Sequence, residues 1–343
     1  MSGDITLSRG GVIKNDAGSW DKDNALFLKV FSGELLTSFK RNCIFGDFIQ
    51  KRTISSGRSA QFPVLGRFTA KHYAPGKFIE GQGNMEQNEV VIRIDDYLTA
   101  AADVYDLDQA KAHYDYRAQY SIELGEALAR AYDARIARLL TIGARTSTGD
   151  LTANKPSASE APFRTGTRVD LNKATPTADD LVASVFSAAE ALDKKDVSND
   201  ARVLVCDPAS YYTLIQSSRA VNFDWNQQGT NGSYKEGQIV KLAGFSIFMS
   251  NHIAQGNVSS APAQEQGYVF NGSVTKSNVD MSQTKMLAFQ RNAVACVALK
   301  DIAMSMTGND YQVTYNATKI KGQYAIGAGV LRPECCVEVY NSK

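Results

Sequence analysis

A long stretch without proline constrains this chain most, because it predicts one helix that must cross much of the molecule. Between residues 105 and 143, apolar side chains recur at three- and four-residue steps, the spacing of an amphipathic helix: Leu124, Leu128, Tyr132, Ile136 and Leu139. Gly143 is expected to end the helix. At 1.5 Å per residue, a helix of roughly 35 residues would be about 50 Å long. We therefore expect a spine helix across an elongated subunit.

The remainder of the chain predicts an α+β fold without a regular alternation of strands and helices. A second helix is indicated at 178–194, and a short one at 209–216 follows Asp207-Pro208, a pair that suits a helix start. Apolar runs that favour strands lie at 202–206, 245–249, 285–289, 293–299, 311–315 and 336–340. An apolar helical pattern at 24–39 follows a polar tail, and we expect this helix to dock on another protein surface.

A long β-hairpin is predicted over residues 51–98. Its outgoing run extends from Arg52 to Leu65 and its return run from Glu89 to Asp95, with a polar tip rich in Pro and Gly between them. An isolated two-stranded ribbon is at best marginally stable in water. We therefore expect the hairpin to lie against another surface, for which a partner subunit is a natural candidate.

Composition and motifs favour no catalytic, metal or cofactor site. The chain has 37 Lys and Arg against 36 Asp and Glu, a net charge of +1, whereas proteins that bind nucleic acid through phosphates tend to be basic. The three histidines and five cysteines lack the paired spacing of metal ligands. The Gly-rich run Gly322, Gly327 and Gly329 lacks the strand-to-helix context of a phosphate loop. We predict no enzyme activity, metal, cofactor or membrane segment.

One segment, from Thr53 to Arg67 (TISSGRSAQFPVLGR), carries a specific resemblance. It resembles a segment near the start of the major capsid protein of T-seven-like short-tailed phages. Further similar clusters, in the same order as in that family, lie at 25–39, 206–211 and 329–334. The matches are dense over residues 24–145 and sparser towards the end, and the stretches 146–176 and 217–237 look unlike the family.

The resemblance implies the tailed-phage major capsid fold, an α+β fold in five parts. Residues 1–50 would form an N-terminal arm and 51–98 an extended loop that reaches over an adjacent subunit. Residues 99–177 would form the peripheral domain with the spine helix, and 178–284 the axial domain. Residues 285–343 would return to the peripheral domain.

The function implied by the resemblance is structural. Copies of the chain would assemble into hexamers and pentamers of an icosahedral shell that encloses double-stranded DNA without sequence-specific binding. A scaffolding protein would set the curvature and a portal would occupy one vertex, with assembly in the host cytoplasm. Two alternatives stay open at this point: an encapsulin-like shell of a cellular compartment, and an α+β enzyme whose site the sequence does not reveal.

Candidate contacts between subunits come from the arm and the extended loop. Basic residues in the outgoing half of the loop precede an acidic run from Glu80 to Asp108. These are either two solvated surfaces, or the basic half of one loop faces an acidic patch on a neighbour. In the second case, charge reversal of Arg58 and Arg67 should lower shell yield while the monomer stays folded. The proposed contact residues are Phe27, Phe31, Arg52, Arg58, Phe62, Arg67, Lys71 and Lys77.

Overall fold

The computed structural model describes residues 35, 37–39, 43–65, 72–73, 75–76, 87–94, 97–105, 116–147, 164–217, 232–233, 238–239, 241–253, 256, 280–307 and 309–343. The chain divides into two compact units, each built from three separated segments. Unit 1 comprises Met1–Cys43, Asp96–Tyr132 and Lys300–Ile326. Unit 2 comprises Ile44–Asp95, Asp133–Leu299 and Gly327–Lys343.

The helices are α1 (Tyr116–Arg145), α2 (Ala178–Asp193), α3 (Pro208–Ile215) and α4 (Asn309–Tyr315), with 3-10 turns at Phe45–Asp47 and Pro333–Cys335. The strands described are β1 (Gln50–Thr53), β2 (Ser59–Leu65), β3 (Gln87–Arg93), β4 (Leu98–Tyr105), β5 (Thr167–Asp170), β6 (Arg202–Cys206), β7 (Gly232–Ser233), β8 (Gln238–Ile239), β9 (Lys241–Leu242), β10 (Phe245–Met249), β11 (Thr284–Gln290), β12 (Val294–Met306), β13 (Ala317–Val330) and β14 (Cys336–Tyr340). Helix α1 and strands β12 and β13 contribute residues to both units.

Unit 2 is organised around a six-stranded sheet in the order β5-β14-β11-β6-β10-β9. Strand β6 is buried at every position, as a continuous apolar run at the centre of a sheet should be. It pairs in parallel with β10 and antiparallel with β11. The predicted strands at 202–206, 245–249, 285–289 and 336–340 are confirmed.

Helices α2 and α3 cover this sheet with their apolar sides. The buried positions of α2 recur at helical spacing and share one core with β6, β10, β11 and β14: Leu181, Val182, Val185, Ala188 and Leu192. Its first turn is closed by a capping box, in which Thr177 and Asp180 each bond to the other's backbone amide. Asp207 caps α3, and Pro208 occupies its first turn as predicted.

Within unit 2, strands β2 and β3 form the predicted antiparallel ribbon, with Ser59 opposite Arg93 and Leu65 opposite Gln87. One face of the ribbon packs closely against its own chain. Ile92 lies so near Gly329 that a Cβ on this glycine would be only 3.0 Å away. The predicted outgoing run from Arg52 to Leu65 is not one strand, however. Gly57 adopts a φ of +108°, which glycine tolerates, and separates β2 from β1, which pairs with β12.

Unit 1 contains the antiparallel pair β4 and β13, in register from Tyr105 with Ala317 to Leu98 with Tyr324. A small core fills one side of this pair: Leu35, Val104, Leu124, Met304 and Ile320. Phe39, Tyr132 and Tyr324 meet edge to face beside it. Of the helix predicted at 24–39, only residue 35 and residues 37–39 are described, and they are helical.

The predicted spine helix is confirmed as α1, whose 30 residues span about 45 Å. Its expected limits are wrong at both ends. Tyr105 ends β4, and residues 106–115 lie outside the described residues. Gly143 does not end the helix; a Cβ there would lie 2.8 Å from the Cys336 sulphur, so glycine allows close packing instead.

One strand prediction near the end of the chain is also wrong. The run 311–315 is helix α4, because its aromatic residues fall at i and i+4, where Tyr311 and Tyr315 stack at 4.7 Å between ring centroids. The Gly-rich run lies in the long strand β13, where a Cβ on Gly327 would lie 2.4 Å from the backbone oxygen of Arg93.

The five-part domain layout stays a prediction. The strand pairing adds one constraint to it. Strand β11 lies in the range expected to return to the peripheral domain, yet it pairs with β6, from the range expected for the axial domain. A boundary near residue 284 therefore does not separate these two strands into different sheets.

Candidate assembly interface

Arg52 is fixed at the base of the ribbon rather than free in solvent. Its Nη1 donates a hydrogen bond to the backbone oxygen of Gln61 at 3.0 Å, and its guanidinium carbon lies 5.7 Å from the ring centroid of Phe62. Gln61 in turn donates from Nε2 to Glu89 Oε1 across the strand pair at 3.1 Å. The exposed face of the ribbon thus presents an ordered row of polar groups.

Arg58 stands at the point where the ribbon leaves the body of unit 2. Its carbonyl oxygen accepts a hydrogen bond from the amide of Ile94 at 2.8 Å, which extends the pairing of β2 and β3 by one step. The residue is exposed. Its charge is therefore presented to solvent from a backbone position that hydrogen bonding holds in place.

Phe62 has a different environment from the basic residues. It is 7% exposed, so its ring is covered within the subunit, on the same face of the ribbon as Ala60, Val90 and Ile92. Any effect of Phe62 on a neighbouring copy would therefore act through the position of the ribbon. The other proposed contact residues lie outside the described residues: Phe27, Phe31, Arg67, Lys71 and Lys77.

A buried ionic group, the Glu338 cluster, joins the end of α1 to three strands of the sheet. The cluster comprises Glu338, Arg145, Arg168 and Thr284. The Glu338 side chain is fully buried, and its oxygens accept hydrogen bonds from Arg145 Nε at 2.8 Å, Arg168 Nε at 3.0 Å and the Thr284 hydroxyl at 2.7 Å. Arg145 is 10% exposed and sits in the last turn of α1, where a cation also favours the helix dipole.

The Glu338 cluster was not predicted from the sequence. One signal for it exists, since Glu338 is a carboxylate at the centre of the otherwise apolar strand β14 (CVEVY). Such a charge is almost never fully buried unless it is paired. Its partners come from α1, β5 and β11, which are distant in the chain, and no local pattern connects them.

Asp133 forms a second buried anchor, at the point where the chain enters unit 2. Its carboxylate is fully buried and accepts hydrogen bonds from the amides of Ile44 at 2.8 Å and Phe45 at 3.3 Å. His252 Nδ1 lies 3.5 Å from the same carboxylate. The group ties the backbone at Ile44 and Phe45 to α1 and brings both near the turn that follows β10.

The buried thiols are poorly suited to chemistry. Burial raises the pKa of Cys335 to about 12 and raises those of Cys206 and Cys336 well above their ordinary range, which lowers the fraction of reactive thiolate. In the parts of the chain that the structure describes, no group of three or more His, Cys, Asp or Glu side chains is placed to hold a metal ion. None of the helices in those same parts is long and apolar enough to cross a membrane.

Similarity to known proteins favours a shell protein of phage capsids over an encapsulin-like compartment. The family model for the Gp10A-like major capsid proteins matches residues 61–340. This range includes most of the ribbon, the whole Glu338 cluster, and the Asp133 anchor except for Ile44 and Phe45. The chain belongs to the Gp10A-like family of major capsid proteins. The resemblance first seen in the segment from Thr53 to Arg67 is confirmed.

Individual phage capsid proteins match over almost the whole chain. The major capsid protein of Escherichia phage T7 is 33% identical over 326 residues, and that of Enterobacteria phage T3 is 32% identical over 325 residues; each match covers 90% of this chain and 90% of the relative. The solved capsid structure of the cyanophage P-SCSP1u has 34% sequence identity and a TM-score of 0.71, over 88% of both chains. The tailed-phage capsid fold is therefore confirmed, and an encapsulin-like compartment is not favoured.

Proposed function

We propose that this chain is the major building block of a phage capsid, which assembles into hexamers and pentamers and closes an icosahedral shell around double-stranded DNA. The observation that carries the proposal is the identity of 33% with the T7 major capsid protein over 90% of both chains. A match of that length spans the core of unit 2 as well as the ribbon. It therefore concerns the whole subunit and not a single shared motif.

The ribbon of β2 and β3 is the proposed contact with an adjacent subunit. Its inner face is buried within its own chain, while Arg58 and the row formed by Arg52, Gln61 and Glu89 are exposed or lie at the surface. Exposed charge pairs contribute only about 0.2–1 kcal/mol each. The same contact is repeated in every subunit of a shell, so many modest interfaces together can decide assembly.

A balanced charge suits a container for DNA. The net charge of +1 gives the subunit little general attraction for phosphate, so a shell built from it would enclose a genome without holding it through sequence-specific contacts. By analogy with its family, the chain would assemble in the host cytoplasm on a scaffolding protein, with a portal at one vertex. It would then remain in the virion as the capsid.

Charge reversal tests both the shell and the ribbon contact. The double variant Arg58→Glu with Arg67→Glu should reduce the assembled fraction in sedimentation while its circular dichroism matches that of the wild type. The matched control is Arg291→Glu, which reverses an exposed charge in unit 2 outside the ribbon. A wild type that never forms large particles would refute the proposed function. A double variant that assembles as well as the wild type would refute only the ribbon contact.

A further inference from the structure

Two glycines of β13 leave room for the root of the ribbon. A Cβ on Gly327 would lie 2.4 Å from the backbone oxygen of Arg93, and a Cβ on Gly329 would lie 3.0 Å from Cγ1 of Ile92. Residues two apart in a strand point to the same face of its sheet. Strand β3 therefore crosses that face of β13 in the space where side chains would otherwise stand. We name Gly327 and Gly329 the glycine slot.

Space, and not backbone conformation, explains glycine at these two positions. Both lie within the extended strand β13, and neither has a positive φ. Gly57 is the opposite case, because its φ is +108° and nothing lies within 4 Å of the place where its Cβ would be. The glycine slot thus serves the close approach of β3, whereas Gly57 serves the turn that separates β2 from β1.

Both strands of the ribbon are held at this root. Ile92 and Ile94 are buried beside the glycine slot, and the amide of Ile94 donates to the carbonyl oxygen of Arg58 at 2.8 Å. On the side of β1, Nη1 of Arg52 donates to the carbonyl oxygen of Gln61 at 3.0 Å. Because packing fixes β3 and hydrogen bonds fix β2, the ribbon leaves the body of unit 2 in one direction.

A small shift at the root becomes a larger one along the ribbon. The approach of 2.4 Å at Gly327 is about 1 Å short of the 3.4 Å at which ordinary contact begins, so a methyl group there must displace the β3 backbone. Ile92 and Ile94 are about 7 Å apart along the strand, so a shift of about 1 Å at one of them tilts the ribbon by about 8°. Gln87, at the far end of β3, would then move by about 2–3 Å. Hydrogen bonds need donor–acceptor distances of about 2.7–3.2 Å, so contacts of the ribbon would be lost.

We propose that the glycine slot sets the direction of the ribbon and is therefore a positioning element for assembly of the shell. This inference rests on the proposed function, in which the ribbon contacts an adjacent subunit. A misdirected ribbon would lose the same contact in every subunit, although each subunit is folded. Gly327 has the larger effect, because it faces the backbone of β3, whereas Gly329 faces a side chain that can rotate away.

The test compares three glycine-to-alanine variants of unit 2 as purified subunits. Gly327→Ala and Gly329→Ala both narrow the glycine slot. Gly166→Ala is the matched control, because its Cβ would also meet a backbone oxygen, that of Gly143 in the last turn of α1, at 2.2 Å. Urea unfolding followed by circular dichroism gives the stability of each variant. Sedimentation and electron microscopy give the protein concentration needed for assembly and the form of the particles.

The proposal predicts that Gly327→Ala raises the concentration needed for assembly about tenfold or more, and that Gly329→Ala raises it to a smaller extent. Gly166→Ala should assemble as the wild type does under conditions where it is folded, even if it loses as much stability as the slot variants. If Gly327→Ala does not fold, the comparison of Gly329→Ala with the control decides.

Two results would overturn the proposal while the shell function stands. In the first, the slot variants assemble as readily as the wild type. In the second, assembly of all three variants follows their free energy of unfolding, so that the glycine slot matters for stability alone. Wild-type protein that forms no shells would instead overturn the proposed function itself.

Discussion

Glu338→Gln is expected to destabilise unit 2 severely, although it changes the volume of the side chain very little. The fully buried carboxylate compensates two guanidinium groups, of which Arg145 is 10% exposed and Arg168 is 39% exposed. A glutamine amide removes the negative charge and directs an NH₂ group at donors that previously had an acceptor. Arg168 can recover part of its hydration, whereas the largely buried Arg145 loses its fully buried counter-charge.

The size of the effect follows from that difference. Removal of one partner from a buried ion pair costs about 3–5 kcal/mol. Native proteins unfold with a free energy of only about 5–15 kcal/mol, so the loss is a large share of the total. The shift in melting temperature per kcal/mol falls with chain length and is about 1–2 °C for the 343 residues of this chain, which predicts a fall of about 3–10 °C. Thr284→Val, which removes one buried donor, should cost about 1 kcal/mol.

Urea unfolding of unassembled subunits, followed by circular dichroism, measures these differences without a contribution from shell contacts. The matched control is Glu190→Gln, the same chemical change at a side chain that is 62% exposed and paired with Lys194 one helical turn away. It should change the free energy of unfolding by less than about 0.5 kcal/mol. If Glu338→Gln costs no more than this control, the Glu338 cluster does not hold α1 to the sheet.

Three further predictions concern Gly166 and Asp180 in unit 2 and Cys43 in unit 1. Gly166→Ala should lower the free energy of unfolding by about 1–3 kcal/mol, because its Cβ would lie 2.2 Å from the carbonyl oxygen of Gly143; unchanged urea midpoints would contradict this. Alkylation of the native subunit at pH 8 should modify the half-buried Cys43 first, and mass spectrometry should find all five thiols modified only after denaturation. The side chains of Lys173 and Thr177 lower the pKa of Asp180 from 3.8 to about 2, so its stabilising contribution is present above pH 4 and is lost as the pH falls towards 2. Carboxyl NMR should show this titration, and Thr177→Ala should raise the pKa; an unaltered pKa would contradict the capping contact.

Elements with a local signal were predictable from the sequence. Helix α2 carries its apolar spacing and its capping box within one segment, and β6 is a continuous apolar run followed directly by a helix cap. Strands β4 and β13 were missed because their pairing joins distant segments and because the glycines of β13 suggest a loop. Gly327 is required because its Cβ would lie 2.4 Å from the backbone oxygen of Arg93, and such a neighbour is not visible in a sequence.

The candidate interface was predictable to a similar extent. The basic residues Arg52 and Arg58 stand out as charges in a predicted hairpin, and the structure places both on or beside the ribbon. Phe62 is buried because it lies on the inner face of the strand pair. The break at Gly57 sets where β2 begins, and this break was not predicted from the sequence.

Electron microscopy of the purified protein, expressed with and without a candidate scaffolding protein, tests the central claim most directly. We expect uniform closed shells when the scaffolding protein is present and tubes or irregular assemblies when it is absent. A monodisperse monomer or small oligomer under both conditions would contradict assembly into a capsid.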